Sequence, residues 1–301
     1  MNDHVSVMLH EAVDLLDVKE DGIYVDGTLG RGGHAAEILK KLKKGKLYCF
    51  DLDSQAIAES KELLKGYDNV AFIHDNFANM NSHVDHVDGI LLDLGVSSPQ
   101  FDQSERGFSY RYDGPLDMRM DRDDGLTAYE VVNSYPKQEL IRIFREYGEE
   151  RNAVRIAEKI VESRPVETTL QLVDVIKSAL PAKVLSRKGH PAKQVFQAIR
   201  IEVNRELESL KTLLDSFDQI LNKDGRVVII TFHSLEDRLV KYRFKELSTA
   251  QDDLKVALRP EEVKKADYVL LNHGKKPSQQ EIENNHRASS AILRGIKKTN
   301  G

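Results

Sequence analysis

A glycine-rich turn and two aspartates carry the first chemistry that this sequence suggests. The turn runs from Asp26 to His34, between a short apolar run and a pattern of apolar residues that is typical of a helix. Glycines at such a turn let the backbone approach a ligand, and the free N–H groups of the helix's first turn face that ligand. Asp51 ends the next predicted strand, where a carboxylate is placed to accept hydrogen bonds from ribose hydroxyls. The pattern predicts a site for a nucleoside-bearing cofactor.

The turn alone leaves two cofactors open. Gly30, Gly32 and Ala35 have the spacing of a loose dinucleotide fingerprint, which fits a nicotinamide dinucleotide as well as S-adenosylmethionine. Asp26 favours the methyl donor, because a carboxylate at the end of a strand repels a pyrophosphate but attracts an amino group or a sulfonium. We therefore expect S-adenosylmethionine.

A second turn, after the predicted strand 87–94, is expected to hold the acceptor, since ligands of open parallel sheets bind beyond the carboxyl ends of the strands. The segment extends from Asp93 to Phe101 and ends in Ser97, Ser98, Pro99, Gln100 and Phe101. Its last four residues resemble the Asp/Asn/Ser-Pro-Pro-aromatic motif of amino methyltransferases, with Gln100 in place of the second proline. Acceptors around the proline localise the lone pair of an exocyclic amine, and the aromatic ring stacks the flipped base. A plain turn rich in serine and proline is the alternative.

His233 is a candidate general base. It follows the predicted strand 226–232, which we expect beside the strand that precedes the second turn, and so near Ser98. The alternative is a helix start, because Ser234 and Asp237 have the Ser-x-x-acid spacing of a capping box. The residues alone leave both interpretations open.

Strand and helix patterns alternate through the first hundred residues and predict a parallel sheet with helices on both faces. The predicted strands lie at 23–25, 46–50, 70–75, 87–94 and 226–232. Between about 106 and 208 the strand pattern is absent and helical periodicity dominates, which indicates an inserted domain. We therefore predict an α/β protein with a discontinuous Rossmann-like domain, residues 1–105 and 209–301, and an all-helical insertion, residues 106–208.

Composition bounds the class of protein. Charged residues make up 31% of the 301 residues and hydrophobic residues 40%, as in a soluble globular protein. No signal peptide is evident and no apolar run approaches the ~18 residues of a membrane span, so we expect a cytoplasmic protein without membrane contact. The single cysteine, Cys49, excludes an internal disulfide and a cysteine-rich zinc site, and no metal site is predicted.

Local charge indicates a polyanionic substrate although the net charge is −5. Six basic residues against one acid lie between Pro181 and Arg205, and the tail from Asn284 onward holds four basic residues and no acid. One polar stripe on a predicted helix of the insertion is suited to phosphates and base edges. It comprises Lys193, Gln197, Arg200 and Asn204. The loop 108–112 interleaves aromatic rings with a cation, as sites for single-stranded RNA do, or else packs inside the domain.

In its long motifs the sequence closely resembles the bacterial small-subunit ribosomal RNA cytosine-N4 methyltransferase family, also called MraW or RsmH. The resemblance extends from His4 to Ser290, nearly the whole chain. Its motifs are DGTLGRGGH (26–34), LDLGVSSPQ (92–100), RGFS (106–109), GPLDMRM (114–120), YGEER (147–151) and FHSLEDR (232–238). The resemblance implies a Rossmann-like methyltransferase domain with a helical insertion. It also implies methyl transfer from S-adenosylmethionine to N4 of a decoding-centre cytidine.

The resemblance implies roles for individual residues and a partner. The cofactor contacts fall on Gly32, Gly33, His34, Asp51, Phe77, Asp93 and Gln100. The amine contacts are expected at Ser97, Ser98 and Pro99. The partner is 16S ribosomal RNA within the small ribosomal subunit, and a homodimer is left open. Two alternatives are a nicotinamide-dependent oxidoreductase, which leaves the second turn unexplained, and a non-catalytic RNA-binding factor, which requires degraded methyl-donor contacts.

Overall fold

The chain divides into two compact units, a sheet unit (Met1–Gly95 and Glu208–Gly301) and a helical unit (Val96–Leu207). The computed structural model describes residues 6–123, 125–186, 189–249 and 266–300, with the backbone alone for Ser98 and Pro99. The helical unit begins at Val96 rather than at the predicted position 106, because Val96 and Phe101 pack against the hydrophobic cluster of the helices. The turn expected to hold the acceptor therefore belongs to the helical unit.

A seven-stranded sheet forms the centre of the sheet unit. Its strands are β1 (Ile23–Asp26), β2 (Lys46–Asp51), β3 (Val70–His74), β4 (Val87–Asp93), β5 (Leu221–Thr231), β6 (Tyr268–Leu270) and β7 (Ile292–Lys298). Their order is β3-β2-β1-β4-β5-β7-β6, with β1 to β5 parallel and β7 antiparallel to both of its neighbours. The predicted Rossmann-like α/β fold is confirmed.

Helices make up most of the remaining described chain. They are α1 (Leu9–Leu16), α2 (Gly33–Lys41), α3 (Ser54–Leu63), α4 (Ser98–Asp102), α5 (Ala128–Ser134), α6 (Lys137–Glu146), α7 (Ala153–Glu162), α8 (Thr169–Ala179), α9 (Ala182–Leu185), α10 (Lys193–Asn204), α11 (Glu206–Ser216), α12 (Ser234–Leu247) and α13 (Gln279–Asn284). Among the described residues, no helix has the length and apolar character that crossing a membrane requires.

Successive strand residues are buried on opposite faces of the sheet, as the two-residue period of a strand requires. Tyr24 and Cys49 belong to the hydrophobic cluster that includes residues of α1, α2 and α3. Their neighbours Val25 and Phe50 belong to the cluster that includes residues of α11 and α12. Both faces of the sheet are therefore covered, which explains why these strands are continuous apolar runs in the sequence.

The helical unit has a hydrophobic cluster of its own, built from α5, α6, α7, α8 and α10. Capping boxes at Thr127 and Thr168 begin α5 and α8, because each threonine accepts the N3 amide while the N3 side chain binds back to the threonine N–H. No strand occurs among the residues of this unit that the structure describes.

The far side of the sheet departs from the sequence prediction. β5 begins five residues before the predicted position 226, and β6 and β7 were not predicted. Three of the four basic residues of the tail, Arg294, Lys297 and Lys298, lie in β7 and are bound inside the sheet unit, Arg294 by Asp237. Lys297 Nζ lies 2.7 Å from an Asp224 carboxylate oxygen, and Lys298 Nζ donates to the carbonyls of Asp218 and Leu221. These three cations, whose charge the sequence analysis took as an indication of a polyanionic substrate, are therefore engaged within the sheet unit.

Candidate active site

Three neighbouring strands end at aspartates. Asp26 is the last residue of β1, Asp51 of β2 and Asp93 of β4. Because these strands are parallel and adjacent in the order β2-β1-β4, their carboxyl ends meet at one edge of the sheet. The structure therefore brings together the three carboxylates that the sequence analysis singled out.

The glycine turn begins at the end of β1 and leads into α2. Gly30 and Gly32 have φ angles of 50° and 74°, in the left-handed region that glycine adopts without strain. Gly32 is the N-cap of α2, and Gly33 is its first residue. A Cβ at Gly33 would collide with the Ser6 side chain, so the N-terminal segment crosses the helix start at close range. The first N–H groups of α2, the predicted cofactor contacts, are thus placed beside the strand ends.

Asp51 binds the glycine turn as well as its own loop. Its Oδ2 accepts a hydrogen bond from the Gly30 N–H at 2.7 Å, and its Oδ1 accepts one from the Asp53 N–H at 2.8 Å. Burial raises the pKa of Asp51 to about 6, although these two N–H donors favour the ionised form. The carboxylate expected to hold the ribose therefore also fixes the conformation of the turn.

Asp26 and Asp93 each have a carboxylate oxygen that is buried and has no hydrogen-bond partner among the described residues, Oδ2 of Asp26 and Oδ1 of Asp93. Burial raises the pKa of Asp26 to about 7. Burial also raises the pKa of Asp93 well above its usual range, and the nearby carboxylates of Asp26, Glu236 and Glu281 add to this shift. A buried oxygen without a hydrogen bond lowers the stability of the folded protein unless a ligand binds it. This edge of the sheet is therefore suited to a cation or a hydrogen-bond donor.

The N-terminal segment is fastened beside the start of α2 by two side chains. His34 Nε2 lies 3.1 Å from the Val7 carbonyl, and Glu281 accepts a hydrogen bond from the Met8 N–H at 2.6 Å. Burial lowers the pKa of His34 to about 4, so the ring is neutral at pH 7 and donates to Val7 through Nε2. Its Nδ1 lies 3.8 Å from Asp93 Oδ2. The predicted contact residue His34 thus holds the N-terminal segment next to Asp93.

Phe77 lies beside the glycine turn. It begins a 3-10 helix, Phe77–Ser82, whose N-cap Asn76 accepts a hydrogen bond from the Ala78 N–H. A Cβ at Gly27 would clash with the Leu92 side chain and would lie 3.1 Å from Phe77 Cβ, so both side chains pack closely on the turn. Phe77 is half-buried and packs against the hydrophobic cluster that contains Met80 and Leu92, and its contact with adenine stays a prediction.

These groups fit S-adenosylmethionine. Its amino group and sulfonium are cationic, as the unpartnered oxygens of Asp26 and Asp93 require, while Asp51 suits ribose hydroxyls and Phe77 suits adenine. A dinucleotide fits less well, because its pyrophosphate would meet the buried carboxylate of Asp26.

Comparison with known proteins agrees with this interpretation. The model of the MraW methylase family matches residues 1–299. Two proteins named ribosomal RNA small subunit methyltransferase H, from Streptococcus dysgalactiae subsp. equisimilis and Streptococcus pyogenes, are each 52% identical over 307 residues, covering 98% of this chain and 97% of the relative. The chain belongs to the MraW methylase family. It is a methyltransferase that uses S-adenosylmethionine, so the oxidoreductase and the non-catalytic alternatives are wrong.

Among solved structures, an rRNA methylase from Streptococcus thermophilus has a TM-score of 0.41 and 15% identity to this MraW methylase, with 98% of this chain and 99% of that chain covered.

The turn predicted to hold the acceptor, residues 97–101, lies in the helical unit, whereas Asp93, four positions before it, ends β4 in the sheet unit. Gln100 is buried, and its Oε1 accepts a hydrogen bond from the Ser97 N–H at 3.0 Å, which closes the turn on itself. A contact between Gln100 and the cofactor stays a prediction. The predicted amine contacts of Ser98 and Pro99 concern side chains outside the described part of the chain.

His233 is the N-cap of α12 and forms a capping box with Glu236. Its Nδ1 accepts from the Glu236 N–H at 3.5 Å, and Glu236 Oε2 accepts from the His233 N–H at 3.3 Å. The predicted box of Ser234 and Asp237 is wrong by one residue. Asp237 instead accepts two hydrogen bonds from the Arg294 guanidinium. His233 Nε2 is buried and lies 3.0 Å from Glu236 Oε1, without the geometry of a hydrogen bond. Its role as a base stays a prediction.

Three of the four side chains of the polar stripe on α10 form hydrogen bonds or an ion pair within the helical unit. Arg200 forms a two-point ion pair with Glu206, at 2.7 and 2.8 Å, and both side chains are nearly buried. Gln197 and Asn204 bond to backbone groups of other segments of the unit. Lys193 alone of the four is exposed. The hypothesis that Arg200 projects freely towards phosphates is therefore wrong.

Sequence reasoning missed two residues that shape the site. The Thr28 hydroxyl accepts a hydrogen bond from the Asp93 N–H at 2.6 Å, which joins the glycine turn to the end of β4. Glu281 binds Met8 across 273 positions of the chain, and nothing in either local sequence indicates such a contact. The family motif that begins near the N-terminus was the only available signal for the segment that Glu281 fastens.

Proposed function

We propose that this MraW methylase transfers a methyl group from S-adenosylmethionine to N4 of a cytidine in the decoding centre of 16S ribosomal RNA. The observation that carries the transfer is the pair of buried, unpartnered carboxylate oxygens on Asp26 and Asp93, at the ends of adjacent strands. The RNA substrate is supported by the names of the two relatives at 52% identity. The acceptor atom is supported by the resemblance of residues 98–101 to the motif of amino methyltransferases.

On the donor side, the residues of the chain bind S-adenosylmethionine and orient its methyl group. S-adenosylmethionine supplies a methyl group on a sulfonium, which is already an excellent leaving group. Asp26 and Asp93 would hold the cationic end of the cofactor, Asp51 the ribose and Phe77 the adenine. Thr28 and Gly30 join the turn to Asp93 and Asp51, so the protein's own hydrogen bonds hold these groups in position for the cofactor.

On the acceptor side, the protein must orient a poor nucleophile, because the lone pair of a cytosine amine is delocalised into the ring. Hydrogen-bond acceptors in the turn from Ser97 to Phe101 would localise that lone pair and hold the nitrogen ~3–3.5 Å from the methyl carbon. The attacked amine becomes acidic, so a strong base is not required. His233 is the proposed acceptor of the released proton; because its Nδ1 accepts the Glu236 N–H, the neutral ring carries its proton on Nε2, and Nδ1 must give up that hydrogen bond to take up the released proton.

We further propose that the RNA is methylated within the small ribosomal subunit, in the cytoplasm, and that the helical unit contributes to its recognition. The helical unit supports this role because it carries exposed cations, such as Lys183 and Lys193, in a chain whose net charge is negative.

The proposal is tested with the purified protein, methyl-labelled S-adenosylmethionine and unmethylated substrate, supplied either as naked 16S RNA or as small subunits. Mass spectrometry of nuclease fragments should find one N4-methylcytidine, in the decoding centre. Ser98→Ala should reduce transfer more than cofactor affinity, whereas Ser178→Ala on α8 should change neither. Label on another atom or another nucleotide would contradict the proposed specificity.

A further inference from the structure

One loop of the helical unit, residues 108–114, is hydrogen-bonded to the start of α8. The Thr169 hydroxyl donates to the Tyr112 carbonyl at 2.8 Å and accepts from the Gly114 N–H at 3.1 Å. Asp113 accepts a hydrogen bond from the Leu170 N–H at 3.2 Å. These bonds fix residues 112–114, so the aromatic residues just before them are held in a defined position.

Two aromatic rings are stacked on this loop. The rings of Tyr110 and His190 have centroids 4.3 Å apart and an angle of 17° between their planes. Phe196, which is buried on α10, meets Tyr110 edge-on at 5.7 Å. His190 is oriented in turn, because its Nδ1 accepts a hydrogen bond from the Ala192 N–H at 3.3 Å. Neither Tyr110 nor His190 is fully buried, so the stack extends from the core to the surface of the helical unit.

Two cations act on the stack. Arg111 directly follows Tyr110 in the loop, and the charges of Lys177 and Arg111, after partial burial, lower the pKa of His190. Both are exposed, and neither has an ion-pair partner among the described residues. Tyr112, 57% exposed, lies on the same loop. Stacked rings at a surface with adjacent unpaired cations are what a single-stranded nucleic acid requires, with bases on the rings and phosphates on the cations.

We infer that the Tyr110–His190 stack is a platform for a base of the single-stranded substrate RNA, with Arg111 and Lys177 binding the neighbouring phosphates. The inference rests on the proposed RNA substrate and adds the surface that receives it. The platform serves a nucleotide other than the one that is methylated, because the turn from Ser97 to Phe101 takes the target base. A neutral imidazole stacks on any base, so the platform contributes affinity without base specificity.

The test measures binding of a fluorescent single-stranded RNA that spans the methylated cytidine. His190→Ala should weaken RNA affinity by about 5- to 100-fold and leave S-adenosylmethionine affinity unchanged, while His190→Phe, which keeps a flat ring, should recover most of the affinity. Lys177→Ala should make the dependence of log affinity on log salt shallower by about 0.7. The matched control is Lys137→Ala, since Lys137 on α6 already pairs with Glu158 and should not alter the salt dependence.

Three outcomes would overturn the inference. RNA affinity that is unchanged in His190→Ala would do so, and so would equal loss in His190→Ala and His190→Phe when both melt like the wild type. If His190→Ala melts early, an unchanged salt dependence in Lys177→Ala and Arg111→Ala decides against the platform. Failure of the proposed function is distinguishable, because the wild type would then place no methyl group on the decoding-centre cytidine, whatever the binding results.

Discussion

The carboxylate of Asp51 accepts the amide hydrogen of Gly30 at 2.7 Å, which joins the acid at the end of β2 to the glycine turn after β1. The second carboxylate oxygen accepts the Asp53 N–H at 2.8 Å. Asp51 therefore organises the turn, and the proposed function has the same carboxylate accept hydrogen bonds from a ribose. On that proposal, cofactor binding and local stability both depend on this one side chain.

Asp51→Ala should weaken S-adenosylmethionine binding by about ten- to a hundred-fold, because charge-assisted hydrogen bonds to the ribose are lost. It should also lower the free energy of unfolding by about 1–3 kcal/mol, since the Gly30 N–H loses its acceptor. Calorimetry and thermal denaturation check the two effects.

The matched control for that variant is Asp88→Ala. Asp88 also accepts two hydrogen bonds, from the Ile23 N–H and the Asn222 side chain, but it lies near the start of β4, at the opposite end of the strand from Asp93. The control should lose stability and keep cofactor affinity. Cofactor affinity that survives Asp51→Ala would contradict the assignment of Asp51 to the ribose.

The sequence was sufficient to predict the parts of the site that depend on local pattern. Apolar runs that end in aspartate predicted β1, β2 and β4 with their carboxylates, because a buried parallel strand is apolar along its whole length. The glycines predicted the turn, and the structure places Gly30 and Gly32 at positive φ. The strand β7, which lies between β5 and β6, was not recognised, because Lys297 and Lys298 gave its sequence the character of a basic segment.

Ion pairs that form only in the folded chain explain the wrong predictions for Arg200 and Asp237. Arg200 has the position of an exposed residue on α10, and only the conformation after the helix, where Arg205 has a φ of 49°, brings Glu206 back to it. Asp237 has the spacing of a cap, but it is paired with Arg294, 57 positions away. A partner chosen by tertiary folding is invisible to periodicity and to motif spacing.

Asp26 should couple cofactor binding to proton release. Its pKa is raised to about 7 by burial, and a cationic ligand stabilises the ionised form, so binding at pH 6 should release protons and affinity should rise from pH 6 to pH 8. Asp26→Asn should bind the cofactor about ten- to a hundred-fold more weakly and release fewer protons. Calorimetry in two buffers of different ionisation enthalpy measures the protons; wild-type binding at pH 6 without proton release would contradict the account.

The Asp26 carboxyl should make the cofactor-free protein less stable as the pH rises, whereas an aspartate in an ordinary ion pair makes a protein more stable. Because its folded pKa lies above the value of 3.8 for the unfolded chain, the folded state binds more protons and loses stability as the pH rises from about 4 to about 7. Between pH 5 and pH 8, the stability of Asp26→Asn relative to the wild type should therefore increase, by on the order of 2–3 kcal/mol. Denaturant titrations at the two pH values measure this difference.

Arg200→Ala should destabilise the helical unit rather than merely weaken RNA binding. The change leaves Glu206 nearly buried without its two-point partner, so the free energy of unfolding should fall by about 1–3 kcal/mol. Lys193→Ala, one turn or more away on the same helix and exposed, should melt like the wild type. Equal melting temperatures for the two variants would show that the ion pair with Glu206 contributes nothing.

Two substitutions separate the capping role of His233 from a role in proton transfer. His233→Ala should lose about 0.5–2 kcal/mol of stability, because α12 loses its N-cap. His233→Asn should restore the cap, since asparagine is a preferred N-cap residue, but it provides no imidazole. Methyl transfer that stays low in the stable His233→Asn variant supports proton transfer, whereas full activity in that variant shows that His233 serves as a cap alone.

The central claim is that the carboxylates at the strand ends serve methyl transfer to one cytidine amine of small-subunit RNA. The most direct measurement is mass spectrometry of the decoding-centre fragment of 16S RNA from cells that lack this protein, complemented with the wild type or with Asp93→Asn. The account predicts that N4 methylation is absent without the protein, restored by the wild type and largely absent with Asp93→Asn. N4 methylation that is unchanged when the protein is missing would contradict it.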